Sequence, residues 1–394
     1  MTGTTVIVGA SGAAWELPLL RGLQEPALGV RVVRRCTEHG ELLGTALRDR
    51  PRAVVLDAAL PWLDRDLVAT LRHAGVAVVA LGDRGAAVER LGIEILDRGS
   101  DAATVARVLA GLGPVETALD PDAAAGGGEA GGGGAGSGRI VVVWGGTGSP
   151  GRTTVAVHLA IEAARAGDRT LLVDGDGWAA SIAQLLEIAE SPSVAQAAHS
   201  AARGWPTPLA ECLQPGPEGV QVMAGLPRAE LWPEVRPEAW AAVLDAAAAS
   251  FDTVVVDVAA PIEEDEELVV DRLPFRRNLM TTGALERADR TVLVTGADPI
   301  GLRRGVIAHR QWTERSVHPA ADLSVVINRT PRSARQAQDC SRAVEQWTGA
   351  PPIALFPVEP AFARVVWEGR ALHSVAPKSP WLRELRGVVR ELVA

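Results

Sequence analysis

Lysine is nearly missing from this chain of 394 residues: Lys378 stands alone, and the other basic residues are all arginine. Such a bias, of the kind a GC-rich genome imposes, is the bland explanation wherever an expected lysine reads as arginine. Cysteine is scarce too. Cys36, Cys212 and Cys340 are isolated and odd in number, which excludes a readable disulfide framework or C-x-x-C metal site and suits a reducing cytoplasm. No apolar run approaches the roughly 18 residues of a membrane span. The N-terminal MTGTTVIVGASG has no basic region before its apolar run, so neither a secreted nor a membrane-spanning protein is expected. Positive charge is also short. A net charge of -9 argues against general nucleic-acid binding, which needs a basic face, and leaves room only for a local basic patch.

What is present is apolar and periodic. Apolar residues make up 47% of the chain, which places it among globular proteins, with length for two domains. Residues 1–113 alternate short apolar runs (Thr5 to Gly9, Val30 to Val33, Ala53 to Leu56, Val76 to Leu81, Glu94 to Leu96) with amphipathic stretches. Five strands alternating with helices predict a parallel sheet. Residues 114–138, with AAAGGGEAGGGGAGSG, read as a flexible linker whose r.m.s. span is roughly 25–30 Å. Residues 139–394 form a second α/β domain. The expected fold class is therefore α/β, two doubly wound parallel-sheet domains.

The second domain opens on RIVVVWGGTGSPGRTTVAVHLA, Arg139 to Ala160: a buried strand, a glycine-rich turn and a helix start. Gly146, four residues, Gly151, Arg152 and Thr153 reproduce the G-x-x-x-x-G-K-[ST] spacing of a phosphate-binding loop, with arginine at the lysine position. The spacing has a physical reason. Polyphosphate nests against backbone N–H groups only where the chain turns tightly and no Cβ blocks it, and the following helix aims its free N–H groups at the same anion. Thr153 would offer its hydroxyl to Mg2+.

Further along, a strand Thr170 to Val173 delivers Asp174 and Asp176, two carboxylates on alternate residues that could face a Mg-nucleotide and a water. An Asx turn with a helix cap is the alternative. Thr253 to Val256 is a wholly apolar strand ending in Asp257, the Walker B arrangement. Glu263 to Glu267, EEDEE, reads as a solvated face, and Arg276 and Arg277 fall where a switch segment would contact nucleotide or partner. Strands Gly219 to Ala224, Thr291 to Thr295, Ser324 to Ile327 and Ile353 to Phe356 bring the sheet to about seven. Asn328, after the Ser324 to Ile327 strand, could read adenine through its amide or serve as a turn residue. After Pro380, Trp381, Leu382, Leu385, Val388, Val389 and Leu392 share one helical face, for which core packing is favoured over a membrane surface.

These motifs carry two resemblances. AVVLDAALPWLDRDLVATLR resembles the third strand and loop of a response-regulator receiver, with Asp57 at the phosphoacceptor and Pro61 at the following proline. The metal-holding acids are replaced by Gly9, Ala10 and Ser11, a Thr or Ser by Leu81 and a lysine by Arg98, so a pseudo-receiver is expected. Residues 139–394 resemble the MinD/ParA family of deviant Walker A ATPases, nearest to its CpaE/TadZ-like and actinobacterial septum-site-determining-like members. The resemblance implies ATP and Mg2+ as cofactors, with Gly146, Thr147, Gly148, Ser149, Pro150, Gly151, Arg152, Thr153 and Thr154 around the phosphates. It implies Thr153, Asp174 and Asp257 at the metal, Asp176 orienting the attacking water, Arg152 as the catalytic cation, and Asn328, Pro357 and Val358 at the base. It also implies a homodimer, partners in division or pilus and secretion machinery, and a cytoplasmic protein at a pole or septum.

The chain departs from that family at both lysines. The position of the signature lysine, which crosses to the partner's phosphates, is Thr147, and a loop glycine is replaced by Ser149. The expectation is an ATP-binding spatial or assembly regulator that hydrolyses slowly or not at all. A scaffold that works without nucleotide is the alternative, and a phosphorelay through Asp57 the weakest reading.

Overall fold

The computed structural model describes residues 4–9, 12–37, 39–60, 62–83, 86–89, 91–113, 138–205, 207–263, 276–315 and 322–393. Most of the glycine-rich linker, Ala10, Ser11, Pro61 and the last four residues of EEDEE lie outside that range. The described residues fall into two compact units, 4–113 with 202–205, and 138–201 with 207–393.

In the first unit, strands β1 (Thr4–Gly9), β2 (Val30–Cys36), β3 (Ala53–Asp57), β4 (Ala77–Leu81) and β5 (Glu94–Leu96) form one parallel sheet in the order β2-β1-β3-β4-β5. That is a doubly wound, flavodoxin-like order. Its helices are α1 (Glu16–Leu23), α2 (His39–Asp49), α3 (Arg65–His73), α4 (Ala86–Glu89) and α5 (Ala102–Gly111). Residues alternate across each strand, so both faces need cover. Val6, Val8, Val55 and Val79 pack with Leu19 and Leu23 of α1 and Val105 and Leu109 of α5. Ile7, Val54, Leu56 and Val78 pack with Leu42 and Leu43 of α2 and Leu67 and Leu71 of α3.

The second unit holds β6 (Arg139–Trp144), α6 (Arg152–Ala166), β7 (Thr170–Gly175), α7 (Ile182–Leu185), α8 (Val194–Ala202), β8 (Gln214–Pro215), β9 (Gln221–Met223), α9 (Pro237–Ser250) and β10 (Thr253–Val258). It continues with α10 (Leu279–Glu286), β11 (Arg290–Gly296), α11 (Pro299–Arg315), β12 (Asp322–Thr330), α12 (Ala334–Thr348), β13 (Ala354–Pro357), α13 (Phe362–Glu368), α14 (Leu372–Val375) and α15 (Pro380–Val393). The sheet has eight strands in the order β13-β12-β11-β6-β10-β7-β9-β8. Seven are parallel, as the seven apolar runs predict. The eighth, β8, is an antiparallel edge of two residues, too short for any periodicity to reveal.

Strand β6 lies between β10 and β11, so the loop at its C-terminal end opens at the point where the winding of the sheet reverses, the usual ligand crevice of such folds. Helix α6 ends at Gly167, whose left-handed φ of 112° closes it with N–H bonds to Ala163 and Ala164 carbonyls. Trp381, Leu382, Leu385, Val388, Val389 and Leu392 of α15 are all buried, in one core with α6 and the valines of β6, β10 and β11. The terminal amphipathic face is thus used internally. Among the described residues no helix is long and apolar enough to cross a membrane.

Candidate functional site

The phosphate-loop motif sits between β6, apolar from Ile140 to Trp144, and α6. Trp144 anchors the strand end, its indole N–H donating to the Ala260 carbonyl at 3.0 Å. The loop then turns through left-handed conformations at Gly148 (φ 95°), Ser149 (φ 53°) and Gly151 (φ 102°). Ser149 takes up a conformation that glycine adopts more cheaply, so the departure at this position leaves the turn in place. No side chain caps the first turn of α6, which leaves its N–H groups for an anion.

Arg152 lies back across the loop. Its Nη1 donates to the carbonyls of Gly145 and Gly146 at 3.2 and 2.9 Å, and its Nη2 is 3.9 Å from Asp176 Oδ2. The positive charge is therefore at the loop, but some of its donors are engaged by the loop itself.

Thr153 and Asp257 face each other: the Thr153 hydroxyl acts on the Asp257 carboxyl and draws its pKa down. Asp257 ends β10 in register with Asp174 of β7, because the two parallel strands run side by side. It is fully buried, and among the described residues its Oδ1 has no hydrogen-bond partner. Burial, then the charge of Asp174, pushes the Asp257 carboxyl well above the ordinary carboxylate range, against the pull of Thr153 and Arg152.

Asp174 is held by backbone N–H groups. Its Oδ1 accepts from the Asp176 N–H at 3.2 Å, and its Oδ2 accepts from the N–H groups of Ser181 and Ile182, both at 2.9 Å. Burial raises its pKa to about 6 although these bonds lower it. Asp176 Oδ1 accepts from Trp178 and Ala179 N–H at 2.9 and 2.8 Å. The pair therefore shapes the loop after β7, in the Asx-turn manner that was the alternative reading.

Among the described residues no three His, Cys, Asp or Glu side chains gather to hold an ion on their own. That fits Mg2+ all the same, since this ion keeps several waters and binds through one or two protein oxygens plus substrate phosphates. The Thr153 hydroxyl and the unpartnered oxygen of Asp257 are the donors that would hold it. Asp174, with both oxygens engaged, would contribute its charge and hold the loop.

Asn328 braces the loop from the other side. Its Nδ2 donates to the Pro150 carbonyl at 2.8 Å, while its Oδ1 accepts from Arg329 N–H at 2.9 Å and Trp381 Nε1 at 3.3 Å. Both ends of the amide are engaged and the residue is buried. Pro357 ends β13, three strands from β6 and so about 14 Å away at ordinary spacing. Val358 is exposed, with its N–H on the Thr330 carbonyl at 3.3 Å.

Two arginines make contacts here that no residue pattern displays, one on the loop after β7 and one on the phosphate loop. Arg277 lies over the Trp178 ring at 3.8 Å and donates to the Gly177 carbonyl at 2.9 Å, and Trp178 Nε1 donates to Asn278 Oδ1 at 2.9 Å. The basic pair noted at 276–277 is thus tied through Arg277 to the D-x-D loop by a cation–π contact. The second is Arg304 of α11, pressed on Gly146 and Gly148. The spacing of Gly301 and Gly305 on one helix face was its one sequence signal.

In the first unit Asp57 ends β3 and is buried. Its Oδ2 accepts from Trp15 Nε1 at 3.0 Å and its Oδ1 from Ala59 N–H at 2.8 Å, with Arg98 Nη2 at 3.5 Å. An indole and a guanidinium attend the carboxylate where a receiver would place a metal and a lysine.

No protein-family model and no curated protein matches the sequence. In three dimensions the chain is similar to the cell division ATPase MinD of Pyrococcus furiosus, at 21% identity and TM-score 0.52, over 64% of this chain and 98% of that one. It is similar to a ParA family ATPase of Chlorobium tepidum, at 19% identity and TM-score 0.55, over 64% of this chain and 99% of that one. A third likeness is to the septum site-determining protein MinD of Pyrococcus horikoshii, complexed with Mg-ADP, at 19% identity and TM-score 0.51, over 64% of this chain and 95% of that one. The fold is that of MinD/ParA P-loop ATPases.

Proposed function

We propose that this chain is an atypical MinD/ParA-like protein that binds Mg-ATP and acts as a spatial or assembly regulator, with slow or absent hydrolysis. The observation that carries the reading is the buried Asp257 carboxylate beside Thr153 below the phosphate loop, with one of its oxygens without a partner among the described residues. A buried carboxylate with an unmet oxygen is costly unless something else binds there. When bound, Mg2+ would neutralise charge across the β- and γ-phosphate oxygens. The protein's own part is to hold the phosphates on the N–H groups of residues 146–149 and 151–154, to present Thr153 and Asp257, and to position a water with Asp176.

Slow turnover is supported by what the cations do. Thr147 is exposed and uncharged where the family resemblance has a lysine, and Arg152 spends donors on Gly145 and Gly146. Arginine's planar fork also fits a phosphate nest differently from an ammonium. We read the first unit as a pseudo-receiver that docks protein partners, joined by residues 114–138, and the setting as a cytoplasmic pole or septum, serving division or pilus and secretion machinery. A homodimer belongs to the same reading.

The alternative, a scaffold indifferent to nucleotide, draws on the self-satisfied Arg152. Labelled-ATP binding and phosphate release on the full chain separate the two. Wild type should bind Mg-ATP weakly and release phosphate slowly, Asp257→Ala should lose the Mg2+ dependence, and Thr147→Lys/Arg152→Lys should turn over faster. No Mg2+-dependent binding by wild type would favour the scaffold, and turnover at the rate of an ordinary MinD would refute the atypical reading.

A further inference from the structure

The loop lacks a lysine at Thr147, yet a cation stands beside it from elsewhere in the same chain. Asp298 caps α11, its Oδ1 accepting from the N–H groups of Ile300 and Gly301 at 3.0 Å each. The helix then runs close against β11. A Cβ on Gly301 would come within 2.8 Å of the Gly296 backbone, and one on Gly305 within 2.6 Å of Thr295 Oγ1, so only glycine permits this approach. Thr295 Oγ1 fastens the contact by donating to the Gly301 carbonyl at 2.8 Å.

Between those two glycines lies Arg304. A Cβ on Gly146 would meet the Arg304 carbonyl oxygen at 2.9 Å and its Cβ at 3.1 Å, and a Cβ on Gly148 would overlap the Arg304 guanidinium itself. The helix backbone and the charged tip both abut the phosphate loop, one residue to either side of Thr147. Asp298 feels the charge of Arg304, but Asp298 Oδ1 is taken by the cap. Arg304 itself is exposed.

We propose that Arg304 binds the γ-phosphate of ATP in cis, so that one copy of the chain supplies a cation beside Thr147. This rests on the nucleotide-binding reading above. The chemistry is that of an arginine held against a phosphoryl group by its own scaffold, where a guanidinium offers paired N–H donors to phosphate oxygens. A tightly packed helix places the charge before the nucleotide arrives, which lowers the ordering cost of binding.

The test is equilibrium binding of Mg-ATP and Mg-ADP to the full chain, by displacement of a fluorescent nucleotide, for wild type, Arg304→Ala, Arg304→Lys and Arg310→Ala. Arg310 lies on the same helix, exposed and paired with Glu314, and serves as a charge control. Arg304→Ala should weaken Mg-ATP about 10- to 100-fold, the worth of a charge-assisted hydrogen bond, and leave Mg-ADP nearly unchanged. Arg304→Lys should recover part of the loss, and Arg310→Ala should bind as wild type does. Thermal unfolding without nucleotide, unchanged in Arg304→Ala, supports a direct role, and a large fall there would mean a structural one and overturn the proposal. Wild-type binding that Arg304→Ala leaves intact, or weakens equally for both nucleotides, overturns the role of Arg304 alone. If wild type binds neither nucleotide, the nucleotide reading falls and Arg304's role with it.

Discussion

Asp257 sits fully buried at the end of β10 with one oxygen unpartnered among the described residues and the Asp174 carboxylate alongside on β7. A site arranged in this way trades stability for ligand affinity. Asp257→Asn keeps the shape and the Thr153 contact while removing the buried charge. Its expected effect is an unfolding midpoint raised by a few degrees, for about 1 kcal/mol or more, together with lost Mg2+ dependence of nucleotide binding. Calorimetry and the binding assay check the two halves separately. Asp174, Asp176 and Asn328 all reach the loop region, but each is engaged by backbone groups, which no residue pattern displays.

Helix α15 shows the opposite case, since a single amphipathic stripe was enough to assign it to the core. Leu385→Ala should cost about 2–5 kcal/mol in denaturant unfolding, the range for a buried leucine with a residual cavity. Lipid vesicles should bind neither protein, because the stripe is covered in the native state. Helix α11 was less readable. Its cap at Asp298 is a local signal, whereas its approach to the loop depends on Gly301 and Gly305 meeting a strand and on a loop more than 150 residues earlier.

Across the second unit, His158 joins α6 to α14 and should set an acid limit to stability. Its Nδ1 lies 2.8 Å from the Thr154 carbonyl, and its Nε2 accepts from the Leu372 N–H at 3.0 Å, which needs the neutral ring. Burial, then the facing His373, lowers its pKa from 6.5 to about 4, against the Thr154 bond and the Glu162 charge. Above pH 6.5 both folded and unfolded forms are neutral and its contribution is complete. As pH falls from 6.5 toward 4 the unfolded chain takes up a proton that the folded one refuses, and up to about 3 kcal/mol is lost. Denaturant unfolding across that window should show the loss, and His158→Gln should flatten it. By itself the sequence determined every strand but the short edge β8, the doubly wound α/β class, the phosphate-loop spacing and the fate of the last helix, because alternation, glycine spacing and apolar stripes are local and survive in one dimension. The tertiary structure alone decided that Asp257 keeps an oxygen without a partner among the described residues, that Asn328 donates to the Pro150 carbonyl, and that Arg304 abuts the loop at Gly146 and Gly148. Those facts depend on strand register and helix approach, which bring together residues far apart in the chain.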